Sequence, residues 1–193
     1  MVWIERVDIE DIGTRTSSAD QEAAAQQVVK RLLPERHSEF RIHVNPDLAG
    51  DGKLEKFQVK WDEERGRLDC IGTSATAALF GFHQYLKYQC KCHIAWEGSQ
   101  LDLPATLPHV WLDQVIYDRF RYFENTCTES YSYVWWDWEE WEKHIDWMAL
   151  NGINMPLALT GQEAIWLKVY NSLGLTSEQV LNDFFTGPAF LAW

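Results

Sequence analysis

A chain of 193 residues holds one ordinary domain or two small ones, and its 46% hydrophobic and 24% charged residues are those of a globular fold. A net charge of −12 with a pI near 4.8 excludes a nucleic-acid footprint and charge-driven docking on an anionic membrane. No apolar run approaches the roughly 20 residues of a spanning helix, and Met1–Glu10 lacks the cationic and apolar regions of a signal peptide.

Residues 1–17 show no sustained period and read as an irregular lead-in. Ser18-Ala-Asp-Gln21 has capping-box spacing and predicts a helix that Pro34 stops, with Val28, Val29, Leu32 and Leu33 as its apolar stripe. Phe40–Val44 and Phe57–Trp61 alternate as half-buried strands, and Arg67–Ile71 is a third after the turn at Asp62–Gly66. Residues 73–88 read as a helix with Ala78, Phe82, Tyr85 and Leu86 inward. Cys90–Trp96 reads as a fourth strand whose alternation puts Cys90, Cys92, Ile94 and Trp96 on one face. The four cysteines (Cys70, Cys90, Cys92, Cys127) are too few for a disulfide scaffold, and Cys90-Lys-Cys92-His93 lacks zinc-knuckle spacing. Neither metal nor any other cofactor is expected. His43, His83 and His93 have no partner at a telling spacing and read as structural or exposed.

These elements imply a small, sandwich-like α/β domain over residues 1–104, closed by the Pro-punctuated connector Leu103–Pro108. Residues 105–193 then begin a second unit. Phe120 and Tyr122 suit a buried strand that ends near Glu124-Asn125-Thr126-Cys127. Asp137, with Glu140 three positions on, opens a helix with Trp138, Trp141, Ile145 and Met148 as its inward face and Asn151-Gly152 as its end. Ile153–Leu159 is apolar without alternation, as a parallel strand buried on both faces would be, although Pro156 removes a ladder donor. Thr160-Gly-Gln-Glu163 and Thr176-Ser-Glu-Gln179 open two further helices. Strands and helices in strict alternation imply βα units on a parallel sheet. They fit the first two units of a (β/α)8 barrel, and because such a barrel needs roughly 250 residues, the chain reads as truncated at Trp193.

Chemistry in such a barrel lies at the C-terminal ends of its strands, here Asn125-Thr126-Cys127 and Thr160–Glu163. Most candidates also have a plainer role. Glu163 serves a capping box, Glu124 and Glu129 read as solvated, and Cys127 has no His close in sequence and reads as a pocket-wall thiol. His144, two residues from both Glu142 and Asp146, reads as part of a solvated helix face. The crowding of Trp135, Trp136, Trp138, Trp141 and Trp147 suits a sugar cleft, since pyranose C–H faces stack on indoles, while any single one suits a core filler.

Arg121-Tyr-Phe-Glu-Asn-Thr-Cys-Thr-Glu-Ser-Tyr-Ser-Tyr-Val-Trp-Trp-Asp-Trp138, residues 142–154, Gly161–Trp166 and Phe184–Trp193 closely resemble the α-N-acetylglucosaminidases of glycoside hydrolase family 89. Cys90–Leu101 resembles the end of that family's N-terminal domain, and the resemblance covers roughly residues 70–193, and earlier residues more loosely. It implies a small α/β domain, a (β/α)8 catalytic barrel and a helical C-terminal domain beyond this sequence. It also implies retaining hydrolysis of terminal α-linked N-acetylglucosamine from glycans such as heparan sulfate, in the lysosome. Both catalytic glutamates would lie beyond Trp193, so no catalytic residue is assigned here and the isolated chain is expected to be inactive. Asn125, Cys127 and Trp193 match the family's sugar-pocket positions. The implied partner is the glycan, with neither nucleic acid nor membrane, and the full-length protein has room to form a homo-oligomer. The reading from a different class is a non-catalytic carbohydrate-binding or interaction protein that keeps half of the fold.

Overall fold

The computed structural model describes residues 13–50, 53–125, 131–158 and 161–183. Its first layer is a four-stranded sheet of β1 (Phe40–Val44), β2 (Glu55–Asp62), β3 (Arg67–Gly72) and β6 (Trp111–Ile116), in the order β1-β3-β2-β6. β1 runs parallel to β3, and β2 is antiparallel to both β3 and β6. Period-two patterning sends Phe40, Ile42, Phe57, Val59, Leu68 and Cys70 to one face, where all are buried. The opposite face carries Arg41, His43, Lys56, Gln58 and Lys60, half-buried.

Helices α1 (Ser18–Leu32) and α2 (Ala75–Tyr88) cover the apolar face. Ala25, Val28, Val29 and Leu33 are buried from the first, and Ala78, Phe82, Tyr85 and Leu86 from the second. The Phe40 ring meets those of Phe82 and Tyr85 edge-on, with centroids 5.1 and 6.3 Å away. α1 starts one residue earlier than its sequence suggests: Ser17 is the N-cap and its side chain accepts from the Asp20 N–H.

Two expectations change. Cys90 and Cys92 are buried thiols, but Cys90–Trp96 is no strand of this sheet. The Cys90 and Cys92 N–H groups bond the Tyr85 and Leu86 carbonyls at the end of α2, and Lys91 sits at φ +60°, which no strand accommodates. Only β4 (His93–Ala95) is extended there, and it forms a separate hairpin with β5 (Gly98–Gln100). The fourth strand of the main sheet is instead β6, beyond the Pro-rich connector. That connector is held firmly: Leu107 is buried, the Tyr85 hydroxyl donates to the Pro108 carbonyl at 2.9 Å, and Arg36 donates to the Pro104 carbonyl at 2.8 Å.

The second part comprises β7 (Tyr122–Phe123), α3 (Trp138–Leu150), β8 (Met155–Pro156), α4 (Gln162–Ser172) and α5 (Ser177–Asp183). β7 and β8 pair in parallel, with α3 between them in the chain. Pro156 is tolerated because the contacts to β7 come from its neighbours: the Met155 and Leu157 N–H groups bond the Arg121 and Phe123 carbonyls. No closed barrel is formed among the described residues, so the fold is mixed α/β with a short parallel pair. No helix among them is long and apolar enough to cross a membrane.

α3 ends at Asn151, and Gly152 follows at φ +74°. A Cβ there would lie 3.2 Å from the Phe80 ring and 3.5 Å from Arg121 Nε, so glycine is required both for its conformation and for its space. Gly152→Ala is expected to cost about 1–2 kcal/mol, read as a lower urea midpoint at unchanged slope. An unaltered midpoint would show that this junction relaxes freely.

Candidate functional site

α3 organises the site. Asp137 is its N-cap and accepts from the Glu139 N–H at 2.8 Å, while the Glu140 carboxylate reaches back to the Asp137 N–H at 3.3 Å, completing the expected capping box. At its far end, Met148 and Leu150 are buried. The inward face differs from the one the apolar spacing predicts. Trp138 is 68% and Ile145 44% exposed, whereas His144 is 3% exposed. The true face passes through Trp141, His144 and Met148, at spacings of three and four residues.

His144 is thus no solvated residue. Its Nε2 lies 3.3 Å from Glu124 Oε1 and 3.4 Å from the Tyr133 hydroxyl. A carboxylate only accepts, so the contact puts a proton on Nε2. Glu124 is likewise not solvated: its side chain is 3% exposed. Six aromatic rings close around the imidazole. Trp147 stacks on it with an interplanar angle of 10°, and Phe123, Tyr133, Trp136, Trp141 and Trp96 have centroids within 5.1 to 6.0 Å.

Burial pushes the His144 pKa below its ordinary value, opposed by the Glu124 carboxylate. Burial first, and then Glu124, push the Tyr133 phenol up, so it stays protonated as a donor. Glu124 itself has φ +89°, in the left-handed region that non-glycine residues seldom occupy.

Asn125 follows immediately, exposed at the C-terminal end of β7. Cys127, Glu129 and Trp193 lie outside the described residues. Glu163 stands half-exposed in the first turn of α4, whose N-cap is Gly161, with no side-chain cap. The helix therefore begins one residue later than the capping-box spacing predicts, and Thr160 lies outside the described residues. Thr176 and Gln179 do form their reciprocal box before α5, at 2.9 and 3.2 Å.

A cleft of about 710 Å³ opens between α1, the β4–β5 hairpin and α3. Its walls include Trp96, Trp136 and Trp147, and Arg31, which bridges to Asp146 at 2.7 Å and Glu142 at 3.6 Å. Asn125 does not line it. Among the described residues, no group of three His, Cys, Asp or Glu side chains is set to hold a metal ion.

Two family models match the sequence. Residues 23–109 match the N-terminal domain of α-N-acetylglucosaminidase, and residues 121–193 match its tim-barrel domain. Human α-N-acetylglucosaminidase is 48% identical over 184 residues, which are 94% of this chain and 24% of the human protein. The structure resembles a family 89 glycoside hydrolase from Clostridium perfringens in complex with PUGNAc, with TM-score 0.80 and 31% identity, covering 91% of this chain and 20% of that one. The same bacterial enzyme in complex with its substrate GlcNAc-α-1,4-galactose gives TM-score 0.79, 31% identity and the same coverage. The relatives are glycosidases. The chain belongs to the α-N-acetylglucosaminidase family, and it spans about a quarter of the length of the human relative.

The resemblance in the sequence points to Asn125 at a strand end. The Glu124–His144–Tyr133 trio was hidden, because His144 sits among charged neighbours and its partners are 20 and 11 residues away. Because the folded imidazole resists protonation, an unfolded chain takes up more protons below about pH 6.5. The stability that neutral His144 contributes is therefore full above about pH 7 and declines as pH falls through 6.5. The gap in melting temperature between the native protein and His144→Gln should shrink from pH 7.5 to pH 5. A gap that widens on acidification would mean that the Glu124 charge outweighs burial.

Proposed function

We propose that the chain supplies the N-terminal domain and the first two βα units of a retaining exo-glycosidase. It releases terminal α-linked N-acetylglucosamine from glycans such as heparan sulfate, in the lysosome. The observation that carries this reading is Asn125 at the C-terminal end of β7, a strand parallel to β8. That is the end of a barrel at which substrates are held. In the folded whole, Asn125 donates or accepts a hydrogen bond at a sugar hydroxyl or the acetamido group, with Cys127 and Trp193 lining the same pocket. We divide the domains after Ile116, since β6 hydrogen-bonds to β2.

The chemistry needs two carboxylates. In an α-linked 2-acetamido sugar the acetamido group lies on the face of the leaving oxygen and cannot attack from behind. An enzyme carboxylate must do so, while a second protonates the leaving oxygen from about 5–5.5 Å away. The bacterial relative holds its substrate in a form with two Glu→Gln substitutions, in keeping with such a pair. Glu124 is bound to His144, and Glu163 stands at a helix start. Neither is suited to the role, so we assign the pair to the part of the enzyme beyond residue 193. Tyr122, Ile165, Trp166 and Leu173, 46 to 74% exposed, supply apolar surface for further barrel elements. That surface argues against a free-standing binding protein.

The full-length protein should hydrolyse an aryl α-N-acetylglucosaminide and not its β-anomer, with the α configuration retained in the first product seen by NMR. The isolated 193-residue chain should release nothing. Asn125→Ala in the full-length protein should lower kcat/KM by about 10- to 100-fold, the worth of one or two hydrogen bonds to substrate. Inversion of configuration, or activity in the isolated chain, would overturn the proposal.

A further inference from the structure

The Glu124–His144–Tyr133 trio has no part in the chemistry proposed above, yet it is one residue from the proposed sugar contact. Three observations bear on what it does. Glu124 holds φ +89°, a conformation that a non-glycine residue keeps only when its surroundings enforce it. Its side chain points inward, 3% exposed, while Asn125 beside it is exposed at the strand end. That carboxylate lies 3.3 Å from Nε2 of His144, which in turn lies 3.4 Å from the Tyr133 hydroxyl.

A carboxylate buried to 3% exposure beside His144 stays there only while it is hydrogen-bonded. Without its donor, Glu124 is driven to water. The cheapest route is relaxation of its backbone out of the left-handed region. Because φ and ψ of Glu124 set the direction in which the chain enters Asn125, that relaxation swings the Asn125 side chain away from its site. Loss of the donor therefore reads out at a residue that neither His144 nor Tyr133 needs to touch.

We propose that His144, with Tyr133, is a positioning residue that fixes the orientation of Asn125 by anchoring the Glu124 carboxylate. This rests on Asn125 being a sugar contact. His144 and Tyr133 act from below the site, do not meet the substrate, and their effect falls on binding.

The test uses the full-length enzyme, an aryl α-N-acetylglucosaminide, and a double-mutant cycle between positions 144 and 125. His144→Leu should raise KM about tenfold with kcat changed less than about threefold, since the lost hydrogen bond acts on substrate binding. His144→Gln, which keeps a donor toward Glu124, should recover KM to within about threefold. Tyr133→Phe, which keeps the ring packing and removes only the hydroxyl, should raise KM about threefold to fivefold and carries the test if His144→Leu fails to fold. In an Asn125→Ala background, His144→Leu should change kcat/KM by less than about twofold, because the residue it orients is gone.

Full additivity of the two substitutions overturns the proposal. So does a native KM in both His144→Leu and Tyr133→Phe with only the melting temperature lowered, which is what a packing role alone would give. If Asn125→Ala itself has native kinetics, the sugar-contact reading fails first and the proposal falls with it. An impaired Asn125→Ala beside a normal His144→Leu sinks the proposal alone.

Discussion

Arg121 joins the two halves of this chain. Its guanidinium donates to the Glu55 carboxylate on β2, to the Gly152 carbonyl just past α3 and to the Asp118 carbonyl. Glu55 accepts in turn from the hydroxyl of Ser74, the N-cap of α2. The start of one helix and the end of another are thereby fixed to a single planar fork, a task that a lysine's point charge does not perform. The Arg121 and Glu55 side chains are only 13% and 20% exposed, so neither charge is at ease without the other. The backbone of the same residue sets the parallel pair. The Arg121 N–H donates to the Asn154 side chain at 2.8 Å, and the Arg121 carbonyl accepts from Met155 at 3.2 Å.

From that anchor the rest of the site follows. The end of α3 is held at Gly152 by Arg121 and its start is closed by the Asp137 capping box, and His144 lies on its inner face, 3% exposed. Trp96 from the β4–β5 hairpin enters the same aromatic shell, touching Phe123, His144 and Trp147 with centroids at 5.3 to 6.1 Å. The shell therefore takes rings from the N-terminal half as well as the second, and the polar groups within it are buried, with His144 3% exposed and the Glu124 side chain 3%. A buried network is worth much when every member is satisfied and costs dearly when one is not.

Much of this was legible in residue patterns. β1, β2, β3 and α2 follow from local alternation and helical spacing, because each presents apolar residues to the one core between sheet and helices. At α3 the Asp137–Glu140 capping box is plain in the sequence, but the inward face of the helix is not. Counting only apolar residues selects Trp138 and Ile145, while the face belongs to a histidine that hydropathy would send outward and that Glu124 and Tyr133 hold inside. β6 was missed for a different reason. Trp-Leu-Asp-Gln-Val-Ile has no clean alternation, and its place is set by pairing with β2, including Lys56–Asp113 at 2.9 Å, over a separation that no local window sees. Asn125 was singled out by a family resemblance alone; it follows Glu124 beyond the end of β7, and periodicity would not have pointed to it.

The origin of β6 bears on how the protein is made. A ribosome delivers β1, β2, β3 and α2 first, and at that moment β2 has one neighbour and one bare edge. The missing strand arrives only after the proline connector has left the ribosome, and five residues beyond Ile116 comes Arg121. The stretch that covers the open edge is thus the one that brings the guanidinium to Glu55 on the same strand, β2. An edge of β2 that would invite intermolecular pairing is covered by β6, and the residues that follow tie the next unit to that same strand through Arg121 and Glu55.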